Sequence, residues 1–227
     1  MRVLAIDTAL AACSTAVFDT ALGGLIASES VRMVRGHAEA LMPLLKRATD
    51  KSALGFADID RVAVTTGPGS FTGLRVGLAA ARGLALAIRK PVVGVTTLSA
   101  YAAPYLAADD TKPVVVAIDA RHQHVYLQVF GAGGRTLIAP RLAPLAEAVR
   151  AASDSTCRLV GSAAHMVADA LPQSAPAPRT VDARGAPDIA WVARIGAALP
   201  EGDAPPVPLY LRPPDAQPQN AAQLPRR

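Results

Sequence analysis

The sequence has few aromatic residues and few cysteines for a chain of 227 residues. Phe, Trp and Tyr together make up 4% of it, and Cys13 and Cys157 are its two cysteines. Two cysteines cannot build the disulfide framework of a small secreted domain, and no CxxC pair or Cys/His spacing typical of a zinc site occurs. These absences exclude a disulfide-rich or zinc-finger protein and favour a cytoplasmic one.

Charged residues are also scarce, at 18%, whereas apolar residues make up 51%. That ratio is typical of a globular chain with a core of Ala, Leu and Val. The net charge of +5 is compatible with a polyanionic partner, but the arginines are scattered rather than clustered. We expect no membrane segment, since no apolar run approaches the length of a transmembrane helix. Asp7 also interrupts the apolar residues that precede the lipoprotein-like 10–13 motif.

The first half of the chain predicts a specific order of elements. Three strands come first, followed by a helix that begins or bends at Pro43. The predicted order is strands 2–8, 14–20 and 24–31, helix 37–51, strand 61–66, helix 71–89, strand 91–95 and a helix from Thr97. This is the order of the ribonuclease-H-like lobe of actin-like and sugar-kinase (ASKHA) proteins. We therefore expect an α/β fold of that superfamily, with two small lobes and mixed sheets.

The second half of the chain is less regular. Its patterns predict strands 113–119 and 125–130 and helices near 144–152, 163–171 and 189–199. We assign residues 1–105 to the first lobe and 106–212 to a smaller second lobe. Residues 213–227 form a Pro-rich tail that we expect to be flexible.

The stretch GPGSFTGLRVG, residues 67–77, resembles a phosphate-binding turn between a strand and a helix. It fails as a Walker A loop because Leu74 stands where Lys is needed, and it fails as a dinucleotide fingerprint by its glycine spacing. Ser70 fails as a nucleophile elbow because Pro68 and Thr72 flank it. What remains is the start of a helix: the glycines allow a sharp turn, and either Ser70 or Thr72 can cap the helix. We interpret five residues as a vestigial nucleotide-binding set: Asp7, Thr8, Gly67, Gly69 and Ser70.

Other catalytic or metal-binding candidates are weaker. His122 and His124 share a strand face but lack a third ligand, and Asp119 with Arg121 is typical of a structural ion pair. We therefore expect no catalytic residue, no metal and no cofactor. An active small ATPase or kinase that uses Asp7 is the alternative, and a peptidase is a third hypothesis that no nucleophile supports.

Small residues recur at every fourth position of the helix after the glycine turn: Gly69, Gly73, Gly77, Ala81 and Ala85. They form one face of small side chains, and glycine inside a helix costs about 0.5–1 kcal/mol relative to alanine. Small side chains on one helix face allow the backbone of another segment to approach closely. That backbone belongs either to the chain's own sheet or to another protein.

Several segments resemble the TsaB (YeaZ) family of bacterial tRNA threonylcarbamoyladenosine biosynthesis. They are LAIDTA near the amino terminus, HAEALMPLL at 37–45, GPGSFTGLRVGLAAARGLALA at 67–87, IDAR at 118–121 and PLYLR at 208–212. The resemblance covers most of the chain up to Arg212. Family members commonly have His-Ser-Glu where this chain has His37-Ala38-Glu39.

The resemblance implies a non-catalytic scaffold subunit that binds and activates a TsaD-like threonylcarbamoyltransferase. The TsaD type holds its metal with a His-x-x-x-His pair, which this sequence lacks. A TsaE-like ATPase and, at least indirectly, tRNA are the further partners. Whether the chain alone is a monomer or a homodimer through the same exposed face stays open. The first lobe's two helices would contact TsaD through His37, Glu39, Leu41, Leu44, Leu45, Phe71, Gly73, Leu74, Arg75, Gly77, Leu78, Ala81 and Arg82.

Substitution of Gly77 by Leu separates the two interpretations of the small-residue face. If a partner packs there, Gly77→Leu should weaken the heterodimer by several kcal/mol through overpacking while the chain stays folded. If the face packs against the chain's own core, the isolated variant should unfold. Thermal melting of the variant and a partner pull-down distinguish the two results.

Overall fold

Two five-stranded mixed sheets organise the chain, which a computed structural model describes over residues 1–212. The first sheet contains β1 to β5, and its strand order is β3-β2-β1-β4-β5. β1 pairs antiparallel with β2 and parallel with β4. These strands are β1 (Arg2–Asp7), β2 (Ala12–Asp19), β3 (Gly24–Arg32), β4 (Arg61–Gly67) and β5 (Val92–Thr96). The predicted α/β class and ribonuclease-H-like order are confirmed. The predicted tail, 213–227, lies outside the described residues.

Helices cover both faces of the first sheet. Alternate residues of a strand point to opposite faces, so Leu4 and Ile6 of β1 pack under α1 and α2, whereas Ala5 packs under α6. The helices are α1 (His37–Ser52), α2 (Phe71–Ile88) and α6 (Ile189–Ala198). α1 begins at His37 and continues through Pro43. The helix therefore does not begin at the proline.

The second sheet has the order β10-β9-β6-β7-β8. Two of its strands, predicted at 113–119 and 125–130, and its helices were expected from the sequence, but its other three strands were not. The elements from the end of the first sheet onward are α3 (Thr97–Ala108), β6 (Val114–Asp119), β7 (His124–Phe130), β8 (Thr136–Pro144), α4 (Leu145–Ser153), β9 (Arg158–Val160), α5 (Ala164–Asp169) and β10 (Thr180–Asp182). β8 contains two prolines and lies at the sheet edge, where proline is tolerated. β9 and β10 are three residues long, too short for a period to be read.

The chain returns to the first lobe after the second sheet, which differs from the predicted division at residue 105/106. That boundary falls inside α3, and α6 packs on the first sheet rather than in a second lobe. Arg61, on β4, is buried and donates from Nη1 to the carbonyl oxygens of Gly196 (3.0 Å) and Leu199 (2.6 Å). A cation at a helix carboxyl terminus is favourable, so Arg61 anchors the end of α6. Further along, the backbone N–H of Leu209 donates to Thr66 O at 2.8 Å.

The small-residue face of α2 packs against the chain's own β1 end. A Cβ at Gly73 would lie 2.1 Å from the carbonyl oxygen of Thr8, and one at Gly77 would lie 2.4 Å from Thr8 Oγ1. Both glycines are buried, and so is Ala81. The face therefore has no room for another chain, and Gly77→Leu is expected to unfold the isolated protein.

α2 also has an unusual composition for a helix at the surface. It is 18 residues long with a mean hydropathy of 1.4, which is long and apolar enough to cross a membrane by length and composition only. A helix that packs on a sheet meets the same two criteria, and α2 packs on β4. One third of it is buried. Much of its apolar surface thus remains exposed.

We predict that Arg61→Leu lowers the free energy of unfolding by at least about 2 kcal/mol, because the substitution leaves the buried carbonyl groups at the end of α6 without their donor. The matched control is Glu201→Ala. Glu201 accepts from Arg61 Nη2 at 3.3 Å but its side chain is 62% exposed, so its loss should change stability by less than about 0.5 kcal/mol. Urea denaturation of both variants measures the difference. Equal effects would contradict the anchoring role of Arg61.

Candidate functional site

The vestigial nucleotide residues lie together where β1 ends and α2 begins. Ser70 caps α2, since its Oγ accepts from the Gly73 N–H at 3.3 Å. Gly67 precedes it with a φ of 107°, a conformation that favours glycine. Of the two cap candidates in the sequence, Ser70 and Thr72, Ser70 is the cap, and the turn contains the expected glycine.

The loop after β1 lies directly against this turn. The N–H of Ser70 donates to Ala9 O at 2.7 Å, and Thr8 Oγ1 donates to Gly73 O at 2.7 Å. A Cβ at Gly69 would lie 2.3 Å from Ala9 O. Glycine at 69 and 73 is thus required for contact with the chain's own backbone, a role that needs no phosphate.

Asp7 is fully buried at this junction. Its Oδ1 accepts hydrogen bonds from Thr65 Oγ1 at 2.7 Å and from the Ala9 N–H at 3.0 Å, whereas its Oδ2 has no hydrogen-bond partner within the described residues. Burial raises the pKa of the Asp7 carboxyl, and the two hydrogen bonds and nearby His37 oppose that rise less strongly.

Beside the junction, a cleft of about 560 Å³ lies between the two sheets. Its apolar wall consists of Leu10, Pro68, Leu209 and Leu211. The remaining lining is Gly69, Ser70, Phe71, Asp119, Ala120, Arg121, Tyr126, Tyr210 and Arg212. Of the vestigial set, Gly69 and Ser70 reach this cleft, and Asp7, Thr8 and Gly67 do not line it.

The predicted partner-interface residues divide into two groups. Nine are buried and hold the first lobe together: His37, Leu41, Leu44, Leu45, Gly73, Leu74, Gly77, Leu78 and Ala81. Four are exposed: Glu39, Phe71, Arg75 and Arg82. The buried leucines point toward the sheet because their i, i+3, i+4 spacing marks the core face of α1. They therefore cannot supply apolar area to a partner.

The sequence interpretation missed apolar residues on the outer faces of α1 and α2. We define the helix-pair surface as the exposed residues Glu39 and Met42 of α1 and Ala79, Gly83 and Leu86 of α2. Leu86 is 80% exposed and Met42 is 55% exposed. The sequence contained this information, because Met42 and Leu86 lie outside the predicted core-facing positions of their helices.

Potential metal ligands do not cluster in the part of the chain that the structure describes, where no three His, Cys, Asp or Glu side chains come together. His124 Nδ1 lies 2.7 Å from the carbonyl oxygen of His122. This contact is made with the backbone, so it does not bring the two imidazoles to one ion.

Sequence comparison relates this chain to proteins of tRNA threonylcarbamoyladenosine biosynthesis. A family model described as TsaD, tRNA N6-adenosine threonylcarbamoyltransferase, matches residues 20–175. The tRNA threonylcarbamoyladenosine biosynthesis protein TsaB of Escherichia coli K12 is 38% identical over 126 residues, which cover 56% of this chain and 53% of that protein. An uncharacterized protein of Mycobacterium tuberculosis H37Rv is 36% identical over 223 residues, which cover 95% and 94% of the two chains.

Comparison with solved structures indicates the same family. The structure of YeaZ from Pseudomonas aeruginosa superimposes with a TM-score of 0.75 at 27% identity, over 92% of this chain and 99% of that chain. A protein from the same organism, described as similar to peptidase YEAZ, gives a TM-score of 0.78 at 27% identity, over 93% and 99%. The described match to E. coli TsaB, in contrast, spans about half of that protein's length.

We predict that Asp7→Asn changes how stability depends on pH. The raised pKa of Asp7 means that the folded state keeps a proton that the unfolded state releases, so the free energy of unfolding falls as pH rises from about 4 through the folded-state pKa. Asparagine keeps an oxygen acceptor and does not titrate, so the free energy of unfolding of Asp7→Asn should change less steeply with pH than that of the unsubstituted protein. Urea denaturation over that pH range measures it, with exposed Asp154→Asn as the control. Identical slopes for Asp7→Asn and the unsubstituted protein would contradict the prediction.

Proposed function

The chain belongs to the TsaB (YeaZ) family of tRNA threonylcarbamoyladenosine biosynthesis proteins, and from that premise we propose that it is a non-catalytic subunit that binds and activates a TsaD-like threonylcarbamoyltransferase. The single observation that carries the proposal is the helix-pair surface. It presents exposed apolar side chains on a helix of which one third is buried.

The helix-pair surface has the character of a protein interface. Met42 and Leu86 are large, apolar and more than half exposed, and Gly83 has no heavy atom within 4 Å of a Cβ position. Glu39, Arg75 and Arg82 add charge around them. Apolar residues with a polar rim are typical of protein–protein contacts.

The buried junction supports the non-catalytic part of the proposal. Asp7 is fully buried, and the glycines of the turn contact the loop after β1. An active ATPase of this fold would need that carboxyl group to face a metal ion and a nucleotide. Here the carboxyl group is fully buried and does not line the cleft between the sheets.

The remaining partners follow from the family. We propose that a TsaE-like ATPase joins the complex and that tRNA is its substrate. In the absence of TsaD, two copies of this chain are expected to pair through the helix-pair surface, because an apolar interface tends to be covered.

Gly83 offers a direct test of the surface. Gly83→Glu should leave the fold intact, because the position is open, yet block a TsaD-like partner by placing a charge in an apolar contact. Gly83→Ala is the matched control and should raise stability by about 0.5–1 kcal/mol while retaining partner binding. Thermal melting and pull-down report the two effects. Unchanged binding by Gly83→Glu would contradict the surface assignment.

Reconstitution tests the function itself. We would combine a TsaD-like protein, a TsaE-like ATPase and an enzyme that makes threonylcarbamoyl-adenylate, and assay tRNA modification with this chain present, absent, or carrying Asp7→Ala. Modification that requires the chain and tolerates Asp7→Ala supports a non-catalytic subunit. Loss of activity with a folded, partner-binding Asp7→Ala variant would favour the ATPase alternative. Modification without the chain would contradict the proposed role.

A further inference from the structure

An exposed cluster of aromatic and arginine side chains lies at the mouth of the inter-sheet cleft. The rings of Phe71 and Tyr210 are 5.2 Å apart between centroids, and the Arg75 guanidinium lies 3.8 Å from the centre of the Phe71 ring. Arg75 Nε also donates to the Tyr210 hydroxyl at 3.1 Å. Phe71 and Tyr210 are each 44% exposed. The proposed subunit contact through the helix-pair surface uses neither ring.

The cleft behind these rings has room for a ligand. Its volume of about 560 Å³ lies within the range of about 300–1,000 Å³ typical of small-molecule sites. Leu10, Pro68 and Leu211 provide an apolar wall, and Tyr126 contributes a half-buried ring from the second sheet. A flat apolar group can therefore enter between the two lobes.

Two arginine residues also line the cleft. They are Arg121 and Arg212, and Asp119 is the acidic group among the lining residues. The Arg212 guanidinium donates from Nη1 to Ala120 O at 2.9 Å, which places it beside the turn that carries Arg121. The Arg121 guanidinium is exposed at the cleft, and a guanidinium group there favours an anionic ligand.

The turn that presents Arg121 has an unusual backbone. Arg121, His122 and Gln123 have φ values of 64°, 51° and 58°, so three consecutive non-glycine residues are left-handed. Non-glycine residues in this conformation are strained, and such strain is concentrated at functional sites. Asp119 Oδ1 holds the turn by accepting from the Arg121 N–H at 2.7 Å. Arg121 thus occupies a backbone position where glycine would fit with less strain.

We propose that this cleft binds an unpaired nucleotide of an RNA strand. The base would stack against Phe71 or Tyr210, and its phosphate would lie toward Arg121. Aromatic rings and guanidinium planes are the groups on which proteins stack unpaired RNA bases, and arginine pairs with phosphate. The combination fits RNA better than an acidic peptide, because a peptide needs no ring platform. The choice of tRNA as the source of that RNA rests on the proposed function.

Binding of RNA by the full-length chain tests the inference. The probe is a fluorescent single-stranded RNA with an anticodon-loop sequence, measured by anisotropy at several salt concentrations. We expect binding that weakens with salt, and a duplex of the same composition should bind less tightly. Tyr210→Ala and Arg121→Gly should each lower the affinity about tenfold. Glycine at 121 removes the charge and also adopts the left-handed backbone, so this variant is expected to stay folded.

Two exposed residues away from the cleft serve as matched controls: Arg150→Ala for charge and Leu137→Ala for apolar area. Both should bind the RNA unchanged. Thermal melting of each variant confirms that it is folded, and a pull-down with the TsaD-like protein checks the proposed function separately. Variants of the cleft that lose RNA affinity but still bind the TsaD-like protein support the assignment of the cleft as the RNA site.

Three results would overturn the proposal. One is the absence of RNA binding both by the chain and by its complex with the TsaD-like protein. Another is RNA binding that Tyr210→Ala and Arg121→Gly leave unchanged. The third is binding of ATP that depends on these residues while RNA does not bind, which would make the cleft a small-nucleotide site. Failure of the pull-down with the unsubstituted chain would instead contradict the proposed function and leave the RNA result to stand by itself.

Discussion

The close approach between the end of β1 and the start of α2 determines the arrangement of the first lobe. Glycine at 69, 73 and 77 lets the helix lie against Thr8 and Ala9 at distances that a Cβ would not allow. The contact fixes α2 over the sheet through two hydrogen bonds, Ser70 N–H to Ala9 O and Thr8 Oγ1 to Gly73 O. It also encloses Asp7 beneath the loop, away from solvent. The phosphate-like turn and the buried carboxyl group therefore have one common cause.

Internal use of the small-residue face changes which surface is available to a partner. α2 packs in the first lobe through Gly73, Leu74, Gly77, Leu78 and Ala81, whereas its Leu86 side chain stays exposed. Leu86 is 80% exposed, and Met42 on the adjacent α1 is 55% exposed. A helix that is apolar on both sides is unfavourable in an isolated protein and is explained by a second contact. The helix-pair surface is that second contact in the proposed complex.

The sequence predicted the first sheet well and the late part of the chain less well. The elements from β1 to α3 have strong periodicity and clear turn residues, so their order and type followed from the residues. β9 and β10 are strands because they pair with neighbours distant in sequence, and three residues carry no pattern of their own. The spacing of Gly73 and Gly77 identified a close contact but not its occupant, because helical periodicity specifies a face without naming what lies opposite. Asp7 was identified by position, whereas its burial depended on the loop that covers it.

The return of the chain to the first lobe builds the cleft from distant segments. Arg61 holds the end of α6 across 135 positions in the sequence, and Leu209 bonds to Thr66 beside the glycine turn. This path brings Tyr210 onto Phe71, and it brings Arg212 to the carbonyl oxygen of Ala120, directly after β6 of the second sheet. No local pattern could place these groups together, because each wall comes from a different part of the chain. The same segment joins the two lobes and completes the proposed RNA site, so the geometry of that site depends on the anchoring of the chain's last described residues.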